Sequence, residues 1–475
     1  MRRGLAGILI GSLSLYGCAA LPPDAGFRDV QQLAEERAGR GVQWEKGTPD
    51  DAAISECVRE LLSRELTAES AVQVALLRNR NLQATYEELG LAQADVLRAS
   101  LLRNPVFDGE IRFPTSGGGV KMELALVQDF IDSLLLPLRR SLAETAFEAT
   151  KLRVAGAVLD LAGEVRAALY TLQGAEQALE MRKQVLLATG ASSDLAGRLH
   201  RAGNITHLDL SNELALHEQS KLDTASAEAE ALAARERLNE LMGLWGNDTA
   251  WKVAHRLPEL PKEEAALEGL EKEAIERSLD LAAARLDIVL SAKSLGLSRP
   301  LSVYSEAKLG GTGERESDGA WGVGPAFSLP IPIFNQGQAA YLQAQSLLRQ
   351  NEQRFSALAV EIRSRVRAAR NNLLAAKHRT DHYRKVILPL RRRIVAETQE
   401  QYNAMQDGAF QLLFAKQQEI EAGNRYIDSV RDYWVARAEL DEILAGTLPR
   451  GDRGKRAGMA TAGEGAFDGR EGEHG

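Results

Sequence analysis

The stretch "SLPIPIFNQGQ" (residues 328–338) decides how this chain is read. Before it, residues 321–329 alternate strictly. Trp321, Val323, Pro325, Phe327 and Leu329 fall on one side, and Gly322, Gly324, Ala326 and Ser328 on the other. After it, from about Gln338 to Met405, the residues are those of a long helix, with Pro389 as an expected kink or break. Pro330 and Pro332 forbid regular helix and cannot donate to a sheet ladder, while Asn335 and Gly337 bring turn chemistry. The stretch is therefore a junction at which a strand stops and a helix begins.

Three further segments alternate in the same way. Residues 106–113 carry Phe107, Gly109, Ile111 and Phe113 against Asp108, Glu110 and Arg112. Residues 120–127 carry Val120, Met122, Leu124 and Leu126, with Lys121 and Glu123 opposite. Residues 301–309 set Leu301, Val303, Ala307 and Leu309 against Ser302, Tyr304, Glu306 and Lys308. Period two with a charged opposite face means one apolar side and one wet side. A half-buried sheet on a soluble core would need a covering layer, and the rest of the chain is long helix. Segments of this length suit tilted strands crossing a bilayer, where an open edge cannot be satisfied and the sheet must close. Four strands cannot close alone; two copies would give eight and three copies twelve. Gly310-Gly311-Thr312-Gly313 has no following Lys-Ser/Thr and opens no helix, so it is expected to be a surface turn rather than a phosphate cradle.

The helical remainder is written twice. "LLRNPVF" (101–107) matches "GLSRPLS" (296–302), each closing a helix with Pro before an extended segment. Glu164 to Ala168 parallels Arg365 to Ala369, and "RERLNELMG" (235–243) parallels "RAELDEILAG" (437–446). Three pairs in order, all offset by roughly two hundred residues, indicate a duplication. Each half predicts helix, two strands, a very long helix, a Gly-marked break and a returning helix. The first long helix is expected from about Arg139 to Arg201, which at 1.5 Å per residue is about 95 Å. Helices this long must pack along one another. Gly203-Asn204 and Asp407-Gly408 are expected to end them with residues that tolerate positive φ, as the tips of two helical hairpins. The resulting division is a leader at 1–17, a lead-in at 18–64, a first repeat at 65–245, a linker at 246–264, a second repeat at 265–446 and a disordered tail at 447–475.

Composition agrees with helices and removes one class of partner. Aromatics make up 5% of 475 residues, and a net charge of −8 leaves no basic surface suited to nucleic acid. Arg2 and Arg3 precede an apolar run, Leu5 to Leu15, too short to span a membrane. The run ends in Leu15-Tyr16-Gly17-Cys18, which resembles a bacterial lipobox; cleavage before Cys18 and acylation of it, palmitate included, are the implied fate. An ordinary leader cut after Ala19 or Ala20 is the other reading. Ala19 after Cys18 implies sorting to the outer membrane. With Cys18 lipidated, Cys57 has no disulfide partner in the chain.

Taken together, "LTAESAVQVALLRNRNL" (66–82), the Pro-opened strands, "FSLPIPIFNQGQ" (327–338), the Gly-marked tips and the Leu-x-Glu-Leu/Ile closings resemble the TolC-type outer-membrane efflux proteins. "LPIPIFNQG" is the most specific of these; in that family Pro330, Pro332, Phe334, Asn335 and Gly337 would form the seam where β-barrel becomes α-barrel. The resemblance implies a mainly α fold and a homotrimer giving four strands per protomer to one twelve-stranded barrel. Below it would lie a passive helical tunnel through the periplasm. It also implies a periplasmic adaptor and an inner-membrane pump as partners, outer-membrane lipid around the barrel, and no cofactor. Adaptor docking at the entrance would fall on Gly203, Asn204, Ile205, Thr206, Leu208 and Asp209, and on Asp407, Gly408, Ala409, Phe410, Leu412 and Leu413. Where relatives often place gate carboxylates after the second tip this chain has Phe414 and Gln417, which leaves Asp209 as the candidate gate acid. The first seam, "QDFIDSLLLPLRR" (128–140), lacks the Asn-x-Gly element.

The competing class is a periplasmic coiled-coil adaptor or scaffold lipoprotein without a pore. Such a protein would show one hairpin between β-rich halves rather than two hairpin-and-strand units in tandem. No nucleophile elbow, phosphate loop or zinc motif is present, so no enzyme is expected. His378 and His382 have metal-compatible spacing but no carboxylate partner in the usual pattern, and read as a solvated helix face. His200, His207 and His217 cannot all share one helix face and read as surface residues. With six methionines and no Met-rich cluster, the residues give no support to metal as cargo.

Overall fold

The computed structural model describes residues 24–47, 50–113, 115, 119–262, 264, 268–298, 307–316 and 318–449. The expected leader, Cys18, residues 301–306 of one expected strand, and positions 450–475 of the expected tail lie outside these residues. In chain order the elements are α1 (Phe27–Ala38), α2 (Asp50–Ser63), β1 (Glu65–Leu66), α3 (Ala68–Arg78), α4 (Arg80–Ser100), β2 (Val106–Arg112), β3 (Lys121–Asp129), α5 (Phe130–Arg201), α6 (His207–Met242) and β4 (Lys252–Val253). There follow α7 (Leu270–Arg277), α8 (Leu279–Ser298), β5 (Lys308–Arg315), β6 (Trp321–Ser328), α9 (Gln338–His382), α10 (Leu388–Asn403) and α11 (Ala409–Ala445). The fold is mainly helical with a small sheet part. Among the described residues no helix is long and apolar enough to cross a membrane, which says nothing of a β-barrel.

The chain divides into two compact units, each drawing on both halves of the sequence. The first comprises Met1–Val30, Tyr86–Val154 and Leu281–Ala357. It holds one antiparallel sheet in the order β2-β3-β5-β6. The run Gly310 to Gly313, expected as a turn, is the middle of β5. The reason is steric: a Cβ at Gly310 would run into the Leu126 carbonyl and Val127, so the strands approach here only because the residue is glycine. Helix segments of this unit are tied by polar contacts. Arg153 Nη2 donates to both oxygens of Asp287 (2.6 and 2.8 Å), and Lys293 Nζ to Ser141 Oγ and Thr145 Oγ1 (both 2.8 Å). Asn351 Nδ2 donates to Ser291 Oγ at 2.6 Å.

The second unit comprises Gln31–Thr85, Ala155–Asp280 and Leu358–Gly475. Its core mixes Val158, Leu169, Leu172, Leu238, Ile362, Leu373, Tyr433 and Ile443 with many buried alanines, among them Ala155, Ala162, Ala369 and Ala438. Small side chains at that frequency let helix backbones lie close. Similar joints occur at two places in this unit. Asn79, at ψ 115°, separates α3 from α4, and Ser278, at ψ 114°, separates α7 from α8. Gly243 and Gly446 end α6 and α11 in left-handed conformation, against the carbonyls of Arg78 and Arg277 respectively. Thr67 opens α3 with a capping box to Ser70, which is the local reason "LTAES" starts a helix.

Three boundaries differ from expectation. Helix α5 begins at Phe130 rather than near Arg139, with Pro137 inside it. Proline lacks only its own N–H, so one hydrogen bond near the end of a 72-residue helix is lost. The expected break at Pro389 is a π turn at Tyr383–Ile387, in which the Leu388 N–H reaches Tyr383 O, five residues back. Pro389 follows two residues after that π turn, in a helical path that continues without a break into α10. Thr447 and Leu448, expected in a disordered tail, are buried; Thr447 Oγ1 bonds Asp160 and the Leu448 N–H donates to Asp280 at 3.1 Å.

Candidate functional site

The sheet has two chemically distinct faces, fixed by its register. Phe107 pairs with Leu126, Gly109 with Leu124 and Ile111 with Met122. Across β3 and β5, Leu126 pairs with Gly311 and Leu124 with Gly313; across β5 and β6, Leu309 pairs with Phe327, Gly311 with Pro325 and Gly313 with Val323. Directly paired residues point to the same side, so these make one largely apolar face, with Arg315, paired with Met122 and Trp321, in its last row. It is not covered: Phe107, Leu126, Leu309, Val323 and Phe327 are all exposed, Val323 at 85% and Phe327 at 80%. The opposite face carries Asp108, Glu110, Arg112, Lys121, Glu123, Thr312 and Glu314, with Glu110, Glu123 and Glu314 in one row across three strands. Arg112 Nε donates to Glu110 at 2.6 Å, and Lys121 pairs with Glu316 at 3.0 Å. Strands β2 and β6 are the edges, each paired on one side only.

The seam lies at the end of β6. The Ile333 N–H closes a tight turn on Ile331 O at 2.9 Å, and the Gly337 N–H donates to Asn335 Oδ1 at 3.0 Å. Gly337, at φ 77°, then hands over to α9, and its carbonyl accepts from Tyr341 N–H at 3.0 Å. Pro330, Pro332, Phe334, Asn335 and Gly337 are thus brought together as one junction, with Ile331, Ile333 and Phe334 exposed. The first seam is different. Strand β3 ends at Asp129 and α5 starts at the next residue; Gln128 Nε2 donates to Arg103 O (2.8 Å) and Arg103 pairs with Asp129 (3.2 Å) to hold it.

The tips share one backbone design. In the first, the Gly203 N–H bonds His200 O and the Asn204 N–H bonds Leu199 O, both at 2.9 Å, with Gly203 at φ 75°. In the second, the Met405 N–H bonds Tyr402 O (3.0 Å) and the Gln406 N–H bonds Gln401 O (2.9 Å), with Met405 at φ 57°. Both are Schellman closures. The second corrects an expectation: Gly408 is not the left-handed residue. It lies at φ −84°, ψ 160° and is the N-cap of α11, while Asp407 precedes it in the connector. The Schellman pattern counts from the last helical turn, and that count lands on Met405. At the first tip the N-cap is Thr206, whose Oγ1 accepts from the Asp209 N–H (3.1 Å) while Asp209 Oδ2 accepts from the Thr206 N–H (3.0 Å). The Thr206 hydroxyl, which donates to the same Oδ2 at 2.7 Å, and then the Thr206 N–H hold the Asp209 carboxyl below its ordinary value. The candidate gate acid is therefore a helix cap. Leu208 and Phe414 are exposed, whereas Ile205, Ala409, Phe410, Leu412 and Leu413 are half-buried.

One cluster escaped sequence reading. Glu264 accepts from Tyr433 Oη (2.7 Å), Lys377 Nζ (3.1 Å) and Arg437 Nη1 (2.9 Å), and Trp434 Nε1 donates to Pro258 O at 2.9 Å. Burial pushes the Glu264 carboxyl up, but the hydrogen bonds and the two cations outweigh it and leave it below its ordinary value. The linker is thereby fastened to α9 and α11. Glu264 stands beside Glu263 in a polar, aperiodic linker, and nothing in that spacing announces this. Among the described residues no group of three or more His, Cys, Asp or Glu is placed to hold a metal.

Long helical hairpins with a four-stranded antiparallel sheet, exposed on its apolar face, are the fold of solved outer-membrane channels. No protein-family model matches the chain. The outer membrane channel CmeC of Campylobacter jejuni superposes with a TM-score of 0.68 at 15% identity, covering 82% of this chain and 88% of that one. The open state of the outer membrane channel MtrE of Neisseria gonorrhoeae gives 0.64 at 18% identity, over 81% and 90%. In sequence, the cobalt-zinc-cadmium resistance protein CzcC of Cupriavidus metallidurans is 23% identical over 392 residues, 80% of this chain and 90% of the relative.

Proposed function

We propose that the protein is the outer-membrane channel of a tripartite efflux or type I secretion system, a passive conduit through the outer membrane and the periplasm. The observation that carries this is the sheet: an uncovered apolar face, a charged opposite face and two unpaired edges. Such a sheet is a liability in water. It is resolved when three copies join edge to edge into a twelve-stranded barrel with the apolar face toward lipid and the charged face lining the lumen. The hairpins then form the periplasmic tunnel, and their tips, Gly203 to Asp209 and Asp407 to Leu413, receive a periplasmic adaptor that couples the channel to an inner-membrane pump. Lipidation at Cys18 would add a second hold on the membrane. The chain needs no cofactor and performs no chemistry. A pore-free adaptor lipoprotein fits less well, because it gives the exposed apolar face nothing to do.

Cell fractionation tests the reading. The protein is expected in the outer membrane as an oligomer that dissociates on heating, and Cys18→Ser is expected to leave that oligomer intact. Recovery of a soluble monomer would contradict it. The relative's name makes cobalt, zinc and cadmium the first cargoes to assay, alongside lipophilic drugs and secreted proteins.

A further inference from the structure

Two histidines seven positions apart in sequence meet at the first tip. His200 lies in the last turn of α5 and His207 is the first residue of α6; their ring centroids are 5.7 Å apart and their planes inclined at 79°. Counting protons assigns the tautomer of each ring. His200 Nδ1 lies 3.2 Å from the Ile205 carbonyl oxygen, which only accepts, so the ring proton is on Nδ1. Ser211 Oγ donates its single proton to the His207 carbonyl at 2.8 Å. With the hydroxyl proton on that carbonyl, the oxygen accepts from His207 Nδ1, 3.3 Å away, which is the tautomer that leaves His207 Nε2 free to bind an ion. Each ring keeps a lone pair on Nε2. An imidazole held through Nδ1–H by an oxygen is oriented and made more basic for metal binding at its other nitrogen.

The separation suits a shared ion. With metal–nitrogen bonds of about 2.0–2.1 Å and a tetrahedral angle, two coordinated imidazoles have centroids roughly 5 Å apart, so binding requires the rings to approach by less than about 1 Å and to turn their Nε2 edges from the present edge-to-face arrangement toward one ion. We propose that His200 and His207 form a two-nitrogen site for a borderline divalent transition-metal ion such as Zn²⁺ or Co²⁺. Oxygen-seeking Ca²⁺ and Mg²⁺ are not matched by this donor set. Two protein ligands leave coordination positions open to water, which gives reversible capture rather than a structural clamp. The site requires only the tip; its use as a first contact for metal cargo rests on the conduit reading.

The test is calorimetric titration of the full-length protein in detergent with Zn²⁺ and with Co²⁺, beside His200→Asn, His207→Asn and, as a control, His255→Gln at the exposed histidine beside Glu176. The Asn amide nitrogen takes the place of the ring Nδ1 and keeps an N–H for Ile205 O or Ser211 Oγ while removing Nε2, and unchanged hydrogen exchange of the Asn204 amide verifies that the tip keeps its fold. The expected result is one ion per protomer, at least tenfold weaker binding in either tip variant, and no change in His255→Gln. Equal affinity in all four proteins, or no ion bound by the wild type, overturns the proposal. Metal binding without conductance in bilayers would leave the site and remove the conduit; conductance without metal binding would do the reverse.

Discussion

Gly203 and Met405 hold the same place in the two hairpin tips: each is the left-handed residue that ends an outgoing helix, three residues before the N-cap of the returning one. One is the residue suited to that conformation and the other is not. A left-handed non-glycine residue costs about 1–2 kcal/mol. Met405→Gly is therefore expected to slow hydrogen exchange of the second-tip amides, and Gly203→Val to speed exchange of the first.

Gly408 should behave differently from Gly203. Its backbone is extended, and the nearest atom to an added Cβ is the far end of the Gln411 side chain, which can move. Gly408→Ser supplies an N-cap oxygen and should stabilise the start of α11 by a few tenths of a kcal/mol. Loss of the helix start in that variant, read by the same exchange experiment, would show that the cap has been misassigned.

The two faces of the sheet give opposite expectations. Phe327→Arg or Val323→Arg places a charge on the apolar face, at a cost of about 2–4 kcal/mol at mid-membrane depth. Either should lower the yield of heat-sensitive oligomer in the outer membrane. Thr312→Arg, on the charged face, should leave the yield unchanged.

Glu264 makes the linker acid-sensitive. Its carboxyl sits below its ordinary value in the folded protein, so the stabilisation is present above the unfolded value and is lost as pH falls through the lower folded one. Limited proteolysis of residues 254–264 should stay slow at neutral pH and accelerate in acid. Glu264→Gln, which loses the charge that Lys377 and Arg437 face, should be cut faster at neutral pH with little further change on acidification.

How much of this was legible in the sequence follows from which signals are periodic. The strands at 106–112, 121–129 and 321–328 alternate strongly and were readable to within two residues. Strand β5 was not, because its Gly310-Gly311-Thr312-Gly313 run has the composition of a turn; only the closeness of the Leu126 backbone explains it as strand. Helix α1, with Val30 and Ala34 buried, was hidden in a lead-in whose Pro and Gly residues suggest loop. The seam was legible from its prolines and Asn-x-Gly. At the tips, Gly203 was legible because glycine announces positive φ, whereas Met405 announces nothing and the adjacent Gly408 misleads. The pairing of His200 with His207 depends on the tip turn, which helix periodicity on either side cannot convey.

The central claim is that strand edges β2 and β6 are completed by other copies of the chain, three to a barrel. In a Cys57→Ser background, a cysteine at Asp108 on β2 combined with one at Gly322, Gly324 or Ala326 on β6 tests this by oxidative cross-linking in outer membranes. The account predicts that at least one combination gives a covalent ladder ending at three copies. A ladder running past three, or no cross-link between copies in any combination, would contradict it.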